Sequence, residues 1–171
     1  MENPIDPVKL DRLAEVAVRT GLNLQPGQDL VLTASVTALP LVRKIVEHAY
    51  KAGAGVVTPV LSDDQITLAR YRHGQGDGFD RAAGWMFDGM ARAYDEGAAR
   101  LAVAGGDPML LSNEDPDKVA RANKAMALAY TPARERITRF ATNWTIVAYP
   151  DPAWARLVSP DLPEDEAVHR L

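Results

Sequence analysis

Three histidines, four serines and a few aspartates are the side chains from which hydrolytic, nucleophilic or metal chemistry could be assembled here. A metal site needs two or three His or carboxylate ligands brought to one point, most readably as His-Glu-x-x-His on a helix. His48, His73 and His169 show no such spacing. His48 stands beside Lys44, Glu47 and Lys51, on what reads as the solvated face of its helix. His73 ends a helix, where a cation suits the dipole. Nucleophilic catalysis needs a serine on a strained elbow, Gly-x-Ser-x-Gly. Ser35, Ser62, Ser112 and Ser159 fall instead in turns and helix starts. Asp63 and Asp64 form an adjacent acidic pair at a strand end, where helix capping accounts for one and solvent for the other. Gly105-Gly-Asp107 follows a strand, as a phosphate loop would. The next capped helix begins only near Pro116, too far on for a dinucleotide fingerprint. Gly53-Ala-Gly55 precedes its strand and reads as a helix cap and a turn.

The elements that must position these residues alternate. Asp6-Pro7 opens a first helix, ended by Gly21, and Gln25-Pro-Gly-Gln28 is a type II turn. Asp29 to Ala34 reads as a buried strand, Thr37 to Ala52 as a helix, and Val56 to Leu61 as a second buried strand. A helix from Asp63 to His73 and a glycine-rich loop over 74–78 follow. Phe79 to Glu96 reads as mostly helical, with Trp85, Met86, Met90 and Tyr94 as its apolar contacts. Arg100 to Ala104 is a third strand. The helix opened by Asp115-Pro116 should break or kink at Thr131-Pro132, because an interior proline removes a hydrogen bond and crowds the preceding turn. Thr145 to Ala148 is the fourth strand, and Asp151-Pro152 opens a further helix. Continuously apolar strands alternating with helices predict an α/β domain: an open, mostly parallel four-stranded sheet covered by helices on both faces.

Composition sets the outer limits. At 171 residues the chain is one domain, long enough to bury roughly 70% of its unfolded surface. Its net charge is −4 with both signs interspersed, which argues against nucleic acid and anionic membrane as partners. With no cysteine, disulfides, thiol catalysis and cysteine zinc sites are excluded, and a reducing cytoplasm fits. No signal-like segment or membrane-length apolar run is present.

In open α/β sheets, ligands and partner domains gather at the carboxyl ends of the strands. Those ends carry Ser35, Ser62, Asp63, Asp64, Gly105, Asp107, Tyr149 and Asp151. The rim is polar and acidic. Asp63, Asp64, Asp107, Tyr149 and Trp154 are its candidate cavity or interdomain residues; ordinary polar loops would have the same composition. Glu164 to Leu171 reads as about two turns of helix, too short to stand alone in water. It is expected either to pack on something outside the chain or to mark the front part of a larger protein. Trp154 and this tail are expected to be partly exposed.

Several segments together resemble one family. They are Leu13-Ala-Glu-Val-Ala17, Gly21-Leu-Asn-Leu-Gln-Pro-Gly-Gln28, Leu39-Pro-Leu-Val-Arg43 and Ala49-Tyr-Lys-Ala-Gly-Ala54. Asp115-Pro-Asp-Lys118 through Ala122, Asn143-Trp-Thr-Ile-Val-Ala148 and Pro152-Ala-Trp-Ala155 complete the set. In order and spacing they resemble the opening of the thermophilic-type metallo-aminopeptidases, the aminopeptidase T and aminopeptidase S group. The resemblance implies an exopeptidase that removes N-terminal amino acids with two divalent metal ions (zinc, cobalt or magnesium). In that family Glu, His, Tyr and Asp ligands come from a C-terminal domain. It further implies that residues 1–171 are a single N-terminal domain, truncated before that catalytic domain. No catalytic, cofactor or metal role then falls on any residue of this chain. The domain would shape the cavity of a homodimer that takes peptide substrates. The competing expectation is a free-standing α/β small-molecule binding module that uses the polar strand-end rim.

Overall fold

A computed structural model describes residues 5–171. Helix α1 (Pro7–Val16) starts where expected, with the Asp6 carboxylate accepting from Val8 N at 2.8 Å. A wider turn then hands the chain on, Leu22 N donating to Ala17 O at 2.8 Å. Strand β1 (Leu30–Ser35) leads through a 3-10 turn into α2 (Leu39–Lys51) and β2 (Val57–Ser62). Helices α3 (Asp64–His73) and α4 (Gly84–Asp95) precede β3 (Ala99–Ala104). After α5 (Pro116–Thr138) come β4 (Trp144–Ala148), α6 (Pro152–Val158) and α7 (Glu164–Arg170).

All three strand pairings are parallel, in the order β2-β1-β3-β4. Alternation along the strands sorts side chains between two cores. Leu30, Leu32 and Ala34 of β1 and Ala99, Leu101 and Val103 of β3 pack with α1 and α2. Val31 faces the other way, into a core built by Met90, Ala91 and Tyr94 of α4 and Ala133 and Ile137 of α5. Helices therefore cover both faces, as the apolar strands predicted. A polar cluster fastens the amino ends: Gln28 Nε2 donates to Gly97 O at 2.8 Å and Asn143 Oδ1 at 2.7 Å, and Asn143 Nδ2 donates to Leu22 O at 2.9 Å.

The structure corrects five readings. The second strand is not buried: β2 is an edge, Leu61 is 41% exposed, and Pro59, which cannot donate to a ladder, is tolerated there. Phe79 is not the start of a long helix; it is buried within a 3-10 turn over Gly76–Asp80, and α4 begins at Gly84. Trp85 is no core contact, being 79% exposed on the first turn of α4. Proline does not break α5, which runs unbroken through Pro132. Ala133, fully buried against α4, anchors the helix just past the proline, and Thr131 Oγ1 donates to Ala127 O at 3.0 Å beside the missing bond. His48 is not solvated. Helix α1 lies across α2 and buries it, with Nε2 3.2 Å from Asp11 Oδ1. Lys44 Nζ reaches the same oxygen at 3.1 Å.

The last helix also finds a partner within the chain. Ala167 and Val168 of α7 pack on Ala155 of α6, with Leu162 beside them. The rest of that segment is largely exposed, and Trp154 is half-buried.

Candidate functional site

Strand order 2-1-3-4 places the switch point between β1 and β3, where the chain leaves toward opposite sides of the sheet. A crevice must open at the carboxyl ends there. The five candidate rim residues all lie on that end of the sheet. Asp63 follows β2 directly and caps α3, its Oδ1 accepting from Ile66 N at 2.9 Å. Asp107 turns the loop after β3 by accepting from Met109 N at 2.8 Å. Asp151, which is 5% exposed, caps α6 and accepts from Ala153 N at 2.9 Å.

Asp64 ties the rim together. The backbone amide of Asp107 lies near enough to favour its charged form, as the neighbouring aspartates do not. Its pKa is nevertheless raised, first by burial and then by the charges of Asp151, Asp107 and Asp63. Partial desolvation and three like charges outweigh the favourable backbone amide.

The loop is held close by its glycines. A Cβ on Gly105 would stand 2.6 Å from the Tyr149 carbonyl oxygen, and Tyr149 N donates to Ala104 O at 2.8 Å. Gly106 takes φ +99°, a conformation that L side chains rarely adopt. Tyr149 is thereby buried at 6% exposure. Trp154 instead lines a hollow of about 270 Å³ with Ala104, Gly105, Gly106, Asp107 and Pro108. The structure thus brings Asp63, Asp64, Asp107 and Asp151 into one electrostatic group and sets Trp154 against the Gly105–Asp107 loop. Tyr149 braces that loop from beneath.

This arrangement holds a charge pattern and a shape. The fit of a metal can be tested directly: among the described residues no group of three or more His, Cys, Asp or Glu side chains converges as a cation needs. The aspartates point their oxygens at helix N-termini and loop amides instead. His48 is engaged with Asp11 on the opposite side of the sheet from α4 and α5. The site's components were visible in the sequence as strand-end residues. That the loop after β3 and the aspartate after β4 come near Asp64 had no sequence signal.

An all-parallel sheet with helices on both faces and an acidic rim at its switch point defines a doubly covered α/β domain. Residues 7–171 match the thermophilic metalloprotease (M29) family, and the chain belongs to it. It is 51% identical over 162 residues to aminopeptidase T of Thermus thermophilus, covering 95% of this chain and 40% of that protein. It is 37% identical over 163 residues to aminopeptidase 2 of Geobacillus stearothermophilus, again covering 95% of this chain and 40% of the relative. The solved structure of wild-type AmpT from Thermus thermophilus superposes with a TM-score of 0.92 at 50% identity, covering 96% of this chain and 41% of that one. The chain thus spans about 40% of the length of these relatives.

Proposed function

We propose that this chain is the N-terminal α/β domain of a dinuclear metal-dependent aminopeptidase that removes N-terminal amino acids from peptides. On this reading the domain supplies no metal ligand of its own and is inactive alone. It forms part of the wall of an active-site cavity in a cytoplasmic homodimer, with Asp63, Asp64, Asp107, Tyr149 and Trp154 on the rim that faces the cavity or the catalytic domain. Family membership supports the activity, since its relatives are aminopeptidases.

What supports the rim is its place: Asp63, Asp64 and Asp107 follow the carboxyl ends of β2 and β3, beside the switch point, and burial with the neighbouring aspartates raises Asp64. Several aspartates held together against their own repulsion cost stability, and such costs concentrate where function requires them. An acidic wall also favours the positively charged amino terminus of a peptide over anionic groups.

A chimera tests the reading. This chain replaces the matched region of the Thermus thermophilus aminopeptidase T, and release of the first residue from a leucine anilide is followed. Activity that is abolished by a chelator and restored by a divalent metal is the expected result. A folded, metal-loaded chimera without turnover refutes it.

A further inference from the structure

The face of the sheet beneath α4 and α5 is not filled. Beyond the Val31, Met90 and Tyr94 packing, a half-open cavity of about 680 Å³ lies between those helices and strands β1 and β2. That volume lies within the usual range for small-molecule sites. Its walls are mostly apolar and rich in soft side chains, with Leu61, Met86, Phe87, Met90, Met126 and Tyr130 contributing. Phe87 and Tyr130 meet edge to face at 5.4 Å between ring centroids and fix one wall. The methionines can adapt to an irregular apolar body.

The charges in this cavity have one sign. No aspartate or glutamate lines it, while Arg100 of β3 and Arg134 of α5 both do. Among the described residues neither guanidinium has an ion pair or a side-chain hydrogen bond. Their neighbours differ: on the same helix Arg121 grips Asp80 and Arg136 grips Asp95, each through two nitrogens. Arg100 is half-buried in the middle of the sheet, where an unmatched charge is costly. A guanidinium fork is shaped for a carboxylate. The Tyr94 hydroxyl on the same wall stays protonated at neutral pH, its pKa pushed up to about 12 by burial.

We propose that this cavity binds a small amphipathic monocarboxylate. Its apolar body would lie against the methionines and Phe87, and its carboxylate would turn toward Arg100 and Arg134. A free amino acid fits poorly, because no acidic side chain is present to receive its ammonium. The inference stands apart from the aminopeptidase reading, since it uses neither a metal nor peptide hydrolysis.

Calorimetric titration of the 171-residue chain with octanoate, 1-octanol and octylammonium tests it. Saturable one-to-one binding of octanoate is expected, with octanol weaker by about tenfold or more and octylammonium not bound. Arg100→Gln and Arg134→Gln should each weaken octanoate severalfold and leave octanol unchanged. Arg134 is exposed on α5, so Arg134→Gln decides the matter even where Arg100→Gln does not fold. Octanol binding as tightly as octanoate, octanoate indifferent to Arg134→Gln, or no saturable octanoate binding would each overturn the proposal.

Discussion

Replacing Gly105 by alanine probes the packing of the strand-end rim at its tightest point. The new Cβ would lie 2.6 Å from the Tyr149 carbonyl oxygen, about 0.8 Å inside the 3.4 Å at which ordinary contact begins. Neither side yields easily. The partner atom is backbone, Tyr149 is buried, and its N–H is committed to Ala104 O at 2.8 Å. Overpacking of this kind costs about 1–3 kcal/mol. In a domain of this size each kcal/mol moves the melting temperature by about 2–4 °C, so a drop of about 2–12 °C is expected. Gly89 is the matched control: it lies inside α4, and no neighbouring heavy atom stands within 4 Å of its would-be Cβ. Gly89→Ala should stabilise by about 0.5–1 kcal/mol through helix propensity. Thermal unfolding of both variants by circular dichroism supplies the comparison. Gly105→Ala melting with the parent, or Gly89→Ala melting lower than Gly105→Ala, would refute the reasoning.

Two further outcomes concern pH. Asp11 is held below the ordinary range by Lys44 and then His48, Glu47 by Lys51, Asp80 by Arg121 and Asp95 by Arg136. Depressed folded values mean stability that is complete above the unfolded pKa of about 4 and is lost as pH falls through the folded values. The denaturant midpoint should therefore fall in acid, less steeply in Asp80→Asn and Asp95→Asn; an unchanged acid limb in both would rule these pairs out as contributors. Asp64 has the opposite sign. Its raised folded pKa makes ionisation a cost above the unfolded value. Asp64→Asn, which keeps the shape and removes the charge, should be more stable than the parent at pH 7 and equal to it below about pH 4; a less stable variant at pH 7 would contradict the electrostatic account of the rim.

Much of the fold was legible because it rests on local signals. Asp6, Asp63, Asp115 and Asp151 cap helices as their positions indicated, and the apolar strands pair in parallel. What was illegible depends on neighbours distant in sequence. His48 carries polar residues on either side, yet α1 folds over it, and nothing within α2 shows that. Trp85 reads as an apolar contact of its helix, but it occupies the first turn, and the buried residues begin at Met90. Val57 to Ser62 looks buried from its composition, and only the strand order makes it an edge. Pro132 breaks an isolated helix, whereas packing of Ala133 against α4 keeps α5 whole. The rim residues were located by strand-end logic alone. The cavity beneath α4 and α5 was invisible, because it depends on how far those helices stand from the sheet.

The central proposal is that this domain shapes a dinuclear aminopeptidase without providing the metal centre. The most direct measurement is calorimetric titration of the 171-residue chain with zinc and with cobalt, paired with a leucine-anilide assay on the same samples. The account predicts no stoichiometric metal binding and no turnover. Stoichiometric binding accompanied by cleavage would contradict it.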